Sequence, residues 1–172
     1  SVIMTSIAGQ TMNARMPSPI GHALAGLAIG LAAEPLPNTP SPRSTHFLPL
    51  VGAVVAAIPD ADLLIPGFHR AATHGLGASL LLMIIAMVVT RQVTGQIWWR
   101  MVLVLGAAHA SHVLTDWLAV DSSNPSGIEA LWPISTRFYV SGVNWFPGTE
   151  RRIFTVPDAV AINMRALVVE LV

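Results

Sequence analysis

The most chemically capable stretch of the chain is HASHVLTDW, in which His109, His112 and Asp116 are spaced i, i+3 and i+7. On a helix that spacing puts all three side chains on one face, and a His and an Asp four residues apart can ligate one ion. Imidazole and carboxylate are the usual ligands of zinc and of catalytic divalent transition metals. No Cys is present, so they are the strong ligands available, and disulfides, thiolate zinc sites and cysteine nucleophiles are excluded together. Small residues around them, Gly106, Ala107, Ala108, Ala110 and Ser111, let neighbouring helices come close. Other residues of the same chemistry lie upstream: His22, Asp60 and Asp62 in PDAD, and His69 and His74 in HRAATHG.

The elements that must position these residues emerge from the spacing between formal charges. Of 172 residues, 53% are hydrophobic and 10% charged, all nine cations are Arg, and the net charge is zero. Mean hydropathy is +0.62. Soluble domains carry about 25% charged residues, so this composition excludes a disordered chain and argues against nucleic-acid binding by charge. Four charge-free stretches run over residues 16–33, 44–59, 71–90 and 101–115. A membrane span needs roughly 20 apolar residues, and the third stretch, centred on LGASLLLMIIAMVV, is the best candidate. RQVTGQIWWR beyond it has the basic and aromatic character of a membrane interface. EPLPNTPSPRS, with four prolines, reads as a loop and DSSNPSG as a linker. The segment LWPISTRFYVSGVNWFPGTERR is irregular, and residues 158–172 have helical periodicity after Pro157. The expected fold is all-α: an up-and-down bundle of about four apolar helices, an irregular C-terminal segment and a short terminal helix. Residues 1–15 lack the features of a signal peptide and are expected to be an extension ahead of Met16, with 16–172 a single domain.

In such a bundle successive connections alternate between ends. The starts of helices one and three and the ends of helices two and four then share one end. His22, Asp60, Asp62, His69, His74, His109, His112 and Asp116 all converge there, whereas His46 falls at the opposite end and is left out. Each residue alone has a plainer reading. A single His is commonly a hydrogen-bonded core residue, PDAD could be a helix stop followed by an N-cap, and Asp116 could end its helix with His112 bonded to it. Together they are costly to bury without an ion, because Arg70 is the cation within the cluster available to Asp60, Asp62 and Asp116.

PIGHALAG, PDADLLIP, HRAATHG, HASHVLTDW and LWPISTRFY, in that order, resemble the YdjM-like family of membrane-bound metal-dependent hydrolases, from Met16 to about Arg152. That family is similar, distantly, to the helical zinc-dependent phospholipases C and single-strand nucleases. The resemblance implies a first metal site of Asp60, His74, His112 and Asp116, with Asp116 able to bridge to a second ion held partly by His22. The chain has no His beyond His112, where those enzymes place further ligands, so one or two ions are expected rather than three.

The expected activity is hydrolysis of a phosphodiester or other ester by a water activated on a divalent ion, with zinc the expected metal. Asp62 is the candidate general base or an orienter of the ligands, and Arg70 the holder of a substrate anion. His69 and His109 are candidates for supporting or second-ion roles. The expected partners are a small-molecule or lipid substrate and the membrane, with no specific nucleic acid; the expected location is the bacterial inner membrane, crossed more than once. The rival reading is an ion-binding or transport membrane protein, since intramembrane Asp and His also mark ion paths. A third is a structural protein whose metal fastens the bundle.

Overall fold

A computed structural model describes residues 17–34, 46–64, 70–121, 125–150, 154 and 156–171. The described residues form five α-helices and no strand: α1 Pro19–Ala32, α2 Leu48–Ala57, α3 Leu76–Thr94, α4 Trp99–Leu118 and α5 Ala159–Leu171. Two short 3-10 segments, Ile58–Leu64 and Ala72–His74, stand between α2 and α3. The all-α bundle expected from the charge spacing is thus the architecture observed.

Local chemistry sets the helix ends. Ser18 caps α1, its hydroxyl accepting from the Gly21 N–H at 2.9 Å, with Pro19 in the first turn, where a missing N–H costs nothing. Gly95, at φ 72°, ends α3 by donating to the Arg91 carbonyl, in the left-handed conformation that glycine adopts without steric cost. The third apolar stretch begins at Ala71, but α3 starts only at Leu76, because residues 72–74 close a separate turn. The first N–H groups of α3 are instead satisfied by the irregular segment: Leu76 donates to the Ala130 carbonyl and Gly77 to that of Trp132, each at 2.9 Å. That segment is pinned by single bridges, Ala119 to Phe146 and Ile128 to Tyr139.

The helices assemble around α4, which packs against α1, α2 and α3. The closest helix pair is α1 with α2, and glycine makes it possible. A Cβ on Gly26 would stand 2.1 Å from the Gly52 carbonyl oxygen, and one on Gly30 would stand 2.4 Å from that of Leu48. Gly26 and Gly30 are four residues apart, the small-residue spacing by which apolar helices bring their backbones together. Ala86, Val102 and Leu105 form the buried core between α3 and α4, with Val51 and Val55 of α2 packed against it. This core lies beside the N-terminal half of α4, which leaves the C-terminal half for polar residues.

Of the described helices, α3 and α4 are long and apolar enough to cross a membrane, with mean hydropathy 1.9 and 1.2 over their best windows. Arg91, Trp99 and Arg100 are exposed at the connection between them, as expected of an interfacial flank.

Candidate metal centre

Four elements deliver side chains to one point at the end of the bundle opposite that connection. His22 comes from the second turn of α1, Asp60 from the 3-10 segment after α2, His74 from the turn before α3, and His112 and Asp116 from the last turns of α4. His22, His74 and His112 are completely buried, and Asp60 and Asp116 nearly so. Asp116 lies at the centre: its Oδ1 is 3.3 Å from His22 Nε2, and its Oδ2 is 3.3 Å from His112 Nε2 and 3.5 Å from His74 Nε2. Asp60 faces His22 and His74 across 3.9 Å each. The His112 ring stacks on His22, with centroids 3.9 Å apart, and meets His74 edge-on.

These distances suit ligands better than hydrogen-bond partners. Four donors about 2.0–2.1 Å from one ion in a tetrahedron stand roughly 3.3–3.4 Å from each other. His22 Nε2, His112 Nε2 and both carboxylate oxygens of Asp60 and of Asp116 are buried without a hydrogen bond. Orphaned buried polar atoms are rare, and here they converge. Two overlapping sets, His22 with Asp60 and His112, and His74 with His112 and Asp116, each have one donor atom per residue within 4.8 Å of the others.

The outward nitrogens of the rings explain why the inward ones are bare. His112 Nδ1 donates to the Ala56 carbonyl at 2.7 Å. Thr115 spends its hydroxyl proton on the carbonyls of Ser111 and His112, so its oxygen accepts from His22 Nδ1 at 2.8 Å. His74 Nδ1 faces Asp62 at 3.3 Å, and Thr73 donates its hydroxyl to the same carboxylate at 2.6 Å. Each imidazole is thereby turned with Nε2 to the centre, the arrangement that orients metal-binding histidines.

The electrostatics demand positive charge. Burial pushes the Asp60 carboxyl up, but the facing imidazoles of His74, His112 and His22 outweigh it and hold the group below the usual carboxylate range. Burial likewise pushes His74 down, and the facing carboxylates of Asp60, Asp62 and Asp116 reverse this and raise it to about 9. Without an ion the carboxylates recruit a proton; a divalent cation satisfies them more fully.

The family model of the YdjM inner membrane proteins matches residues 16–172. The chain belongs to that family. Its inner-membrane location follows from this membership, and α3 and α4 are the two candidate spans. No curated protein and no solved structure matches the chain.

Within this family member, the remaining residues singled out in the sequence take different places. Asp62 sits behind His74 and not among the inward-facing atoms. His109 turns to α3, where its Nδ1 pairs with the Ser79 hydroxyl at 2.8 Å. It shares a helical face with Asp116 but lies seven residues, about 10 Å along the axis, from it. His69 lies outside the described residues. His46 is exposed and pairs with Glu34 at 3.6 Å, away from the centre.

Arg70, which the sequence offers as the one cation in the cluster available to Asp60, Asp62 and Asp116, is buried, with φ 69°, and forms an ion pair with Asp121 at 2.5 Å. Asp121 also accepts from the Gly127 N–H. Reading DSSNPSG only as a linker missed this residue. Thr115, Thr73 and the Ala56 carbonyl were missed as well. Thr115 had a signal, since it sits three residues after His112 on the ligand-bearing turn.

Proposed function

We propose that the chain is a membrane-bound metal-dependent hydrolase that cleaves a phosphodiester or other ester. The observation that carries this reading is the convergence of His22, Asp60, His74, His112 and Asp116 with their metal-binding atoms buried and without hydrogen bonds, apart from His74, whose Nε2 faces the same centre. These five residues would hold one or two divalent ions, and the nitrogen and oxygen donor set suits zinc. Such an ion supplies Lewis acidity, bringing the pKa of a water toward neutrality and offsetting negative charge that develops on a substrate oxygen.

The protein's own contribution is orientation and charge. Thr115, the Ala56 carbonyl and Asp62 fix the three imidazoles, each holding the Nδ1 side so that Nε2 stays available. Of the two roles considered for Asp62, its position behind His74 favours that of orienter. Arg70 and Asp116 border the same small crevice, with Pro17 and Ile128 also on its wall. In the role of holder of a substrate anion the guanidinium would have to exchange Asp121 for the anionic oxygen, and the crevice would have to open.

Purified protein should contain about one or two equivalents of metal. Asp116→Ala and His112→Ala should lose it, and with it hydrolysis of generic phosphodiester or ester substrates. A gently purified protein that is metal-free and takes up no zinc in a titration sinks the reading. The complete burial of the three imidazoles favours one rival, a metal that only fastens α1, α2 and α4. That rival requires a closed coordination sphere, which spectroscopy of a cobalt-substituted protein would reveal, and no turnover.

A further inference from the structure

The outward faces of the two candidate spans carry matching apolar rows. On α3, Leu76, Leu80, Ile84 and Val88 recur every four residues, each about half exposed. On α4, Leu103, Ala107, Ala110, Leu114 and Trp117 recur every three or four residues, all exposed except the half-buried Ala110. Such spacing lays each row along one side of its helix. The two helices pack against each other and are joined by residues 95–98 alone, so they run antiparallel and the start of α3 lies beside the end of α4.

Where the rows meet, a cavity of about 380 Å³ opens, within the size range of small-molecule sites. Leu76 forms one side, α4 from Ala110 to Trp117 a second, and Leu131 and Tyr139 of the irregular segment the third. Hydrogen bonds hold that third side in place. Leu76 and Gly77 donate to the Ala130 and Trp132 carbonyls, and the Ser141 N–H donates to the Trp117 carbonyl at 3.0 Å. A Cβ at Gly77 would stand 2.2 Å from the Trp132 carbonyl oxygen, so the segment lies directly against the start of α3. The lining side chains are hydrocarbon and aromatic, and the Tyr139 hydroxyl is spent on Ser135 Oγ at 3.0 Å.

We propose that this cavity holds one acyl chain of a phospholipid from the leaflet at the metal-centre end. The site is independent of the hydrolase reading. Its mouth decides the occupant: Leu76, Leu114 and Leu131 are about half exposed there, and Leu76 begins the row that Leu80, Ile84 and Val88 continue along the outer face of a candidate span in an inner-membrane protein. The cavity is thus continuous with the surface that faces lipid. Water would find too few polar partners inside. An empty cavity would forfeit the dispersion contacts of its lining, whereas an acyl chain from the bilayer restores them. Trp117 and Tyr139 are the amphipathic rings that gather at head-group level, so the chain enters beside them and descends along the seam of α3 and α4. The third wall separates this site from the open face of α3, where lipids touch one side only.

The test titrates the full chain, as purified and stripped of lipid in dodecyl maltoside micelles, with a phosphatidylcholine carrying a mid-chain diazirine, and maps the labelled peptides by mass spectrometry. Labelling at residues 114–117 and 130–139 should saturate at one lipid per chain. Labelling of the open face of α3, at Val88 and Val93, should keep rising in proportion to the lipid added. Ala110→Phe fills the cavity from α4, and Ala130→Leu fills it from the opposite wall. Each should weaken labelling of the cavity on the order of tenfold, the effect of displacing about two buried methylenes, and leave that of α3 unchanged. Labelling of the cavity that never saturates, or that survives undiminished in both variants, overturns the proposal. So do cross-links that join the cavity residues to another copy of the chain in place of lipid.

Discussion

The two longest helices have nearly the same length and opposite environments. Only 17% of the best apolar window of α3 is buried, against 50% for α4. Leu80, Leu81, Ile84, Ile85, Val88, Val89 and Val93 of α3 face outward. The less apolar α4 buries His109, His112 and Asp116. The more hydrophobic helix is therefore the one turned to its surroundings, and the helix carrying ionisable groups is shielded by its neighbours. In water this would be inverted. In a bilayer it is the expected order, because lipid solvates Leu and Ile as well as a protein core does, whereas an imidazole or carboxylate needs a partner within the protein.

Asp116→Ala attacks α4 at its most connected side chain and should have the largest effect. Metal affinity should fall by more than roughly 100-fold, exceeding the loss typical of an outer-shell partner, and metal analysis of the purified variant reads it directly. Retention of a full equivalent would show that Asp116 is not a ligand. The matching change on α3 is Ile85→Arg, which puts a charge near the middle of the outward face. It should cost about 2.5–3.5 kcal/mol in membrane insertion, visible as loss from the membrane fraction. If the variant inserts as well as the parent, α3 does not cross the bilayer.

Much of this contrast was legible in the sequence, and particular residues show where legibility stopped. The four apolar helices and the convergence of His22, Asp60, His74, His112 and Asp116 followed from charge spacing and the alternation of bundle ends, both of which are one-dimensional; the same reasoning also sent His109 to the centre, whereas it turns to Ser79 of α3. What fixes each ring was hidden, because the Ala56 carbonyl and Thr115 reach His112 and His22 only once α1, α2 and α4 are packed. Arg70 was expected among the carboxylates of the centre, but its partner is Asp121, in a stretch whose composition reads only as a linker. The Gly26 to Gly52 contact had a visible signal in Gly26 and Gly30, yet which helix it would meet depends on the packing.

Asp62→Asn probes the support behind α4's partner His74 and should act more mildly than loss of a ligand. Metal affinity should fall about 10- to 100-fold, the range for an outer partner of a metal-binding histidine. It should also alter the pH dependence. In the metal-free protein His74 holds its proton up to about 9, so proton and metal compete below that pH. Affinity should rise with pH toward 9, by at most about tenfold per unit for this one proton. Removing the Asp62 charge lowers the His74 pKa and should move the rise to lower pH. Zinc titrations at several pH values measure both effects, and identical profiles for the two proteins would detach Asp62 from the site.

The smallest effect is expected where the two helices touch. A Cβ at Gly106 would stand 2.4 Å from Met83 Sδ and 2.5 Å from Met83 Cγ, so Gly106→Ala must displace the Met83 side chain. Overpacking of this kind costs about 1–3 kcal/mol, but alanine regains roughly 0.5–1 kcal/mol over glycine within a helix. Because Met83 is unbranched and can rotate away, the net loss should be close to about 1 kcal/mol. It should appear as a lowered unfolding temperature in the same detergent. Metal content should not change, since Gly106 precedes the ligand His112 by six residues and faces α3. A Gly106→Ala protein as stable as the parent would mean that α3 rests loosely on α4, and a loss of metal would mean that the seam and the centre move together.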